Sequence, residues 1–221
     1  MTSLERSWGA FTPERARGYL QEPGAASPES QAIVADVLRR LVGGGELSVL
    51  DLGCGNGATL RYLAERGVSV RYTGVDFSEP LLEAAREASP NAVFVRDDVE
   101  RLERIEGRFD VVLYSHVLEM LGSPQASLER SAQLASTIVI RFFEPPDGEV
   151  DTVELLEMNT GAGRVPYLRR TMSRDYYRML LARIGCKNVD IYRCEFARDQ
   201  VHVCTLTEAR GDIRASAKMD V

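Results

Sequence analysis

The run Val49-Leu-Asp-Leu-Gly-Cys-Gly-Asn-Gly57 constrains this chain more than any other stretch. An apolar segment ends in an acid, Asp51, and Gly53, Gly55 and Gly57 follow at alternate positions. Residues 58–66 then carry helical apolar spacing, stopped by Gly67. A strand therefore feeds a glycine loop that opens a helix. Glycines in that place let the backbone turn sharply and come close to a ligand. The acid at the strand end repels a pyrophosphate and suits a cation.

The rest of the first two thirds repeats the same rhythm. Residues 31–42 have helical spacing, ended by three glycines at 43–45. Strands are expected at 47–51, 70–76, 92–95, 109–115 and 137–143. Helices are expected after Ser78, whose side chain is a candidate cap, and over 125–135. The fourth strand is nearly all apolar, as a strand buried on both faces should be. Alternating strands and helices with short links call for a parallel sheet covered on both faces. After Pro145-Pro146 the rhythm changes. Residues 153–158 and 164–171 read as a hairpin around Asn159-Thr-Gly-Ala-Gly163. A helix capped by Ser173 follows, and then strands at 189–194 and 200–206. The expected architecture is α/β: a Rossmann-like, seven-stranded, mostly parallel sheet with an N-terminal helical lid and a β-hairpin insertion after the fifth strand. One domain, 1–221, divides into a lid (1–30), a core (31–145), the hairpin and helix (146–185) and final antiparallel strands (186–208). Residues 1–30 carry Trp8, Phe11 and Tyr19, which suit either a packed extension or a lid over a pocket. The hairpin suits either a pocket wall or a dimer contact.

Composition narrows the partners. A net charge of −6 and a pI near 5.2 argue against a nucleic-acid surface. Residues 1–6 lack the basic and apolar regions of a secretory leader, and no apolar run approaches a membrane span. The expected location is therefore cytoplasmic, with no membrane partner. Cys54, Cys186, Cys194 and Cys204 have no paired spacing and only two histidines accompany them. Buried reduced thiols are expected, and no metal site.

The Asp-x-Gly-x-Gly-x-Gly pattern of Asp51–Gly57 resembles motif I of the class I S-adenosylmethionine (SAM)-dependent methyltransferases, with the small-molecule enzymes as the nearest branch. The resemblance covers about residues 31–145. It implies SAM as cofactor and a set of contacts at the carboxyl ends of successive strands. Asp51, Gly53, Cys54, Gly55 and Gly57 would meet the methionyl and nucleoside parts. Asp76 would accept the ribose hydroxyls, as an ionised carboxylate can, and Phe77 would cover the adenine. Asp98, chosen over Asp97 by register, would receive the adenine amino group, with the Val99 N–H beside it. Ser115 completes the cofactor set. The segment Phe109–Leu121 resembles motif IV and its continuation, but Met120 stands where many relatives carry a histidine.

The implied activity is methyl transfer to an oxygen or nitrogen of a small-molecule acceptor, fitting specialised-metabolite biosynthesis. No Asn-Pro-Pro-Tyr-type element follows the fourth strand, which argues against nucleic-acid bases as acceptors. His116 is a candidate general base or a residue that packs over the cofactor. Glu144 is a candidate for orienting the acceptor or a solvated loop acid. Arg164, Arg169, Arg170, Arg174 and Arg178 suit a substrate anion or a solvated face. His202, inside the last strand, reads as structural. A homodimer is one possible assembly. Two other functions stay open. One is binding of SAM or S-adenosylhomocysteine without methyl transfer, in a lyase, cyclase or partner-binding role. The other is an NAD-dependent oxidoreductase, because Gly53-x-Gly55-x-x-Ala58 with Asp76 also satisfies the dinucleotide fingerprint.

Overall fold

The computed structural model describes residues 8–19, 28–42, 46–142, 148–195 and 199–206. Glu144, the glycine stop at 43–45, Pro145-Pro146, much of the 1–30 segment and the tail from Ala209 lie outside the described residues.

The elements run α1 (Pro13–Gly18), α2 (Pro28–Leu41), β1 (Leu47–Leu52), α3 (Ala58–Glu65), β2 (Val70–Asp76), α4 (Glu79–Ala88), β3 (Val93–Arg96) and β4 (Phe109–Ser115). After a short 3₁₀ turn, Leu118–Met120, come α5 (Pro124–Leu134) and β5 (Ala135–Phe142). The hairpin strands β6 (Thr152–Asn159) and β7 (Arg164–Thr171), helix α6 (Arg174–Arg183), and β8 (Cys186–Arg193) and β9 (Gln200–Leu206) complete the chain. Seven strands form one sheet in the order β3-β2-β1-β4-β5-β9-β8, and β6-β7 form a separate two-stranded sheet. The first five pair in parallel; β9 runs antiparallel to both β5 and β8. The expected seven-stranded, mostly parallel sheet is present. Between β3 and β4, however, the described chain makes turns instead of a helix.

Strand alternation builds the two layers. Val49, Val111, Leu113 and Val139 face one side, where Val34 and Leu38 of α2 and Leu63 of α3 cover them. Leu50, Leu52, Val112, Tyr114, Ile138 and Ile140 face the other, under Leu128 of α5 and Leu180 of α6. All six residues of β1 are buried, which the central place of that strand requires. The Tyr114 hydroxyl bonds to the Ser127 and Ser131 hydroxyls of α5, so the one polar tip in that strand core is satisfied.

Local caps follow the sequence with one exception. Ser173 Oγ accepts the Tyr176 N–H and starts α6. Ser78 occupies the N-cap place of α4 but makes no side-chain cap; its hydroxyl donates instead to the Trp8 carbonyl at 2.6 Å. The N-terminal segment thus takes the hydroxyl that local sequence offers to the helix. Of the cysteines, Cys54 and Cys204 are buried, while Cys186 and Cys194 are only partly so.

Candidate functional site

The carboxyl ends of β1, β2, β4 and β5 lie on one edge of the sheet because these strands are parallel. Ligands of open α/β sheets bind beyond that edge. A cavity of about 130 Å³ sits there. Gly53, Cys54, Gly55, Asp76, Phe77, Val99, Ser115 and His116 wall it from the sheet side, and Trp8, Tyr19 and Tyr167 from the outside.

Gly53 and Gly55 have φ of +69° and +54°, a region that side chains disfavour. A Cβ on Gly53 would meet Val117 Cγ2 at 2.5 Å, so that glycine admits the chain after β4. A Cβ on Gly55 would meet nothing nearer than the Tyr19 ring at 3.6 Å, so that glycine leaves room at the cavity. The Gly55 N–H donates to Asp76 Oδ2 at 2.9 Å, and the Ser78 N–H donates to Oδ1 at 2.9 Å. Asp76 is thereby fixed at the cavity wall, with acceptor capacity left on both oxygens.

Asp51 and Gly57 are not on the cavity wall. Asp51 is buried behind the loop, and its Oδ2 accepts from the Tyr72 hydroxyl at 2.5 Å. Its Oδ1 is buried and meets no hydrogen-bond donor among the described residues. Burial pushes the Asp51 carboxyl up to about 7, helped by the charge of Asp76 and against the pull of the Tyr72 hydroxyl, the Thr59 hydroxyl and the Arg141 charge. Burial raises Asp76 as well, held back by the backbone N–H groups of Ser78 and Gly55. Neither acid has a cation among its hydrogen-bond partners, although Arg141 lines the same cavity.

Asp98, the acid expected on the adenine, does not line this cavity. Asp98 is exposed; its Oδ1 accepts the Glu100 N–H at 2.9 Å and so shapes the turn after β3. Asp97 does similar work, accepting the N–H groups of Asp98 and Arg104. Of Asp97, Asp98 and Val99, only Val99, buried, reaches the cavity.

A buried charged cluster lies at the other side of the cavity. His116 has φ +57° and a side chain 9% exposed, and its N–H donates to the Arg141 carbonyl at 3.0 Å. Its Nδ1 is 3.8 Å from Glu119 Oε1 and its Nε2 is 3.5 Å from Asp199 Oδ2. Arg141, 3% exposed in the middle of the sheet, donates to Ser30 Oγ at 2.7 Å and to Ser115 Oγ at 3.1 Å. Ser30 in turn donates to Asp199 Oδ2 at 2.8 Å. Burial lowers the Arg141 guanidinium to about 10. Burial pushes Asp199 up, but His116, Ser30 and Arg141 outweigh it and hold that carboxyl below its ordinary value.

Sequence reading named His116 and Ser115 here and missed Ser30, Glu119 and Asp199 as members of one cluster. Arg141 is a charged residue inside the otherwise apolar run of the fifth strand. Asp199 gave no signal, because it sits in a polar link just before β9.

The N-terminal segment closes the cavity. Asn56, 1% exposed, donates from its amide to the carbonyls of Ala16 and Tyr19 at 3.0 and 2.7 Å. The Thr12 N–H donates to the Thr160 carbonyl of the hairpin, and the Trp8 ring meets Tyr167 edge-on at 5.9 Å. Both lid and hairpin therefore meet over the loop.

A second cavity, of about 360 Å³, adjoins the first through Met120, Leu121 and Tyr167. Val153, Leu155, Pro166, Leu168 and Arg170 of the hairpin and Glu119 line it. The hairpin is thus a pocket wall in this chain. Arg169 and Arg164 pair with Glu154 and Glu157 across the hairpin. Tyr177 is buried in the core against Phe142 and His202 and forms no pocket wall. His202 bonds to the Tyr177 hydroxyl and to Gln200, and burial lowers it to about 4. The described residues hold no cluster suited to a metal ion and no helix long and apolar enough to cross a membrane.

Residues 49–136 match a family model described as a methyltransferase domain. Over 155 residues the chain is 27% identical to a trans-aconitate 2-methyltransferase of Escherichia coli O1:K1 / APEC, covering 67% of this chain and 59% of that one. Over 90 residues it is 36% identical to a ubiquinone biosynthesis O-methyltransferase of Coxiella burnetii (strain Dugway 5J108-111), covering 39% and 38%. The chain therefore spans about three fifths of the length of the first of these relatives, and less of the second. A SAM-bound amino pentose methyltransferase from Micromonospora echinaspora shares the fold, with a TM-score of 0.62 at 20% identity over 88% of this chain and 94% of that one.

Proposed function

We propose that this chain, whose core belongs to the class I SAM-dependent methyltransferases, binds SAM in the cavity over Gly53–Gly55 and methylates a small-molecule acceptor held in the adjoining cavity. The observation that carries this reading is the junction of the two spaces. The first is walled by the glycine loop and Asp76, and the second by the hairpin; His116 and Glu119 stand where they meet.

The residues present fit the cofactor. Asp76 has spare acceptor capacity toward ribose hydroxyls, and Gly55 leaves space for a nucleoside. The orphaned Asp51 oxygen and the raised carboxyls of Asp51 and Asp76 favour a positively charged ligand nearby. When bound, SAM supplies a methyl group activated by its sulfonium leaving group. The chain's own work is then alignment, exclusion of water and proton removal. Orientation of two reactants is worth roughly 7–11 kcal/mol. Trp8, Tyr19 and Tyr167 exclude water from above. His116 takes a proton from an acceptor hydroxyl or ammonium, a role typically worth ~10²–10⁴-fold. A hydroxyl or amine on a largely apolar small molecule suits the second cavity, whose hairpin wall is Val153, Leu155, Pro166 and Leu168 with Arg170 at its end.

Calorimetric titration with SAM and, separately, with NAD tests the cofactor. Micromolar binding of SAM and none of NAD is expected; the reverse overturns the reading in favour of redox chemistry. In an acceptor screen that yields turnover, His116→Ala should keep SAM affinity and lose ~10²–10⁴ in kcat. Unchanged kcat would remove His116 as the base.

A further inference from the structure

We propose that Asp199 is the positioning residue of His116: it keeps the imidazole proton on Nε2, so that Nδ1 is the nitrogen that accepts a proton during turnover. This rests on the methyltransferase reading for the proton's source, but the arrangement of the pair does not.

Four observations converge. Asp199 Oδ2 is 3.5 Å from Nε2, and Asp199 does not line the second cavity. Nδ1 points toward Glu119, which lies 3.8 Å away and lines that second cavity. Asp199 is itself clamped, accepting from Ser30 Oγ at 2.8 Å, while Ser30 accepts from Arg141 Nε at 2.7 Å. Finally, His116 sits at φ +57°, a left-handed conformation that a side-chain-bearing residue disfavours. The His116 N–H bond to the Arg141 carbonyl secures that conformation and so fixes where the ring leaves the backbone.

The chemistry follows the general logic of base and orienter. A carboxylate at one imidazole nitrogen selects the tautomer whose proton it accepts, and stabilises the imidazolium once the other nitrogen is protonated. Among the described residues, the charged groups around the ring are Glu119 from the 3₁₀ turn, Arg141 from β5 and Asp199 before β9. Arg141 Nη2 is 3.8 Å from Asp199 Oδ2 and holds that carboxylate ionised. In the step itself the acceptor's O–H or N–H bond breaks, its electron pair stays on the acceptor atom, and a new N–H bond forms at Nδ1. The ring becomes an imidazolium between Asp199 and Glu119. A 3.5 Å separation is long for a hydrogen bond, and such contacts tighten when a ligand closes the site.

The test needs neither SAM nor turnover. The chain has two histidines, so ¹⁵N-labelled histidine gives two ring systems to assign. In the neutral form of the unmodified protein, the His116 shifts should report a proton on Nε2 by roughly tenfold or more over Nδ1, as a charge-assisted partner requires. Asp199→Asn should bring the two tautomers toward parity, and Asp199→Glu should restore the preference. The His202 signals, held by Tyr177 and Gln200, report that each variant is folded. A proton on Nδ1 in the unmodified protein overturns the proposal whether or not any variant folds. So does a folded Asp199→Asn protein with the original preference. Failure of SAM to bind would defeat the function proposed above and leave this result standing.

Discussion

The two sides of the cavity hold buried carboxylates in opposite ways. On the glycine-loop side, Asp51 and Asp76 come from strand ends 25 residues apart in sequence and are met by hydroxyls, from Tyr72 and Thr59, and by backbone N–H groups of Gly55, Phe77 and Ser78. No cation is among their hydrogen-bond partners, so burial wins and both carboxyls rise. On the β4–β5 side, Asp199 is drawn from far along the chain into contact with Ser30, His116 and Arg141. There the donors and the guanidinium win and the carboxyl falls. The difference teaches what each side is built for. A cluster that carries its own counterion is complete and serves to position a group. Asp51 and Asp76 have no hydrogen-bonded cation of their own, and a cationic ligand beside them would favour their ionised forms.

Three measurements would break or sharpen that contrast. The largest effect is expected from Asp76→Ala, which removes the acceptor for the Gly55 and Ser78 N–H groups and the ribose contact together. SAM affinity should fall by about 100-fold or more, as loss of two charge-assisted bonds implies; calorimetry that finds a loss under fivefold would remove Asp76 from the site.

The next concerns pH. Folded Asp51 titrates near 7, above the carboxylate's ordinary value of 3.8. A folded pKa above the unfolded one means that the ligand-free protein loses stability as pH rises from about 4 to 7, because ionisation is then unfavourable only in the folded state. A cationic ligand favours the ionised form. SAM affinity should therefore rise by up to about tenfold per pH unit below 7 and level off above it. Asp51→Asn should flatten the profile. Equal SAM-induced shifts of Tm at pH 6 and pH 8 would mean that Asp51 does not sense the cofactor.

The smallest effect is expected at Asp98. Its side chain is exposed and serves the turn after β3. Asp98→Ala should change SAM affinity by no more than about threefold, in line with an exposed group that loses one local bond. A larger loss would bring the side chain into the cofactor site and restore the role that the family resemblance implies for it.

How much of this was legible beforehand differs between the same two regions. On the loop side the local structure is legible in sequence. Its residues are consecutive, glycines report their own backbone requirement, and strand ends follow from apolar runs. Asp51, Gly57 and Asp98 lie off the cavity wall, and for Asp98 the cause is local. An acid two residues before a turn N–H can serve the backbone instead of a ligand, and sequence alone offers both uses. The cluster side was read only at His116 and Ser115. Glu119 looked like a loop residue, and Ser30 and Asp199 gave no pattern, since their partners are 111 and 169 residues away for Ser30 alone. The hydroxyl of Ser78 was read as a helix cap, but the Trp8 carbonyl claims it.

The sequence by itself determined the sheet, its parallel core, the glycine loop and the acid beside it, because those depend on periodicity and on the conformations that single residues permit. The tertiary structure alone decided which buried acid meets a counterion. It also decided that the hairpin walls a second cavity and that the N-terminal segment closes over the loop through Asn56. Those outcomes rest on desolvation and on pairings between distant segments, and neither quantity exists until the chain has folded.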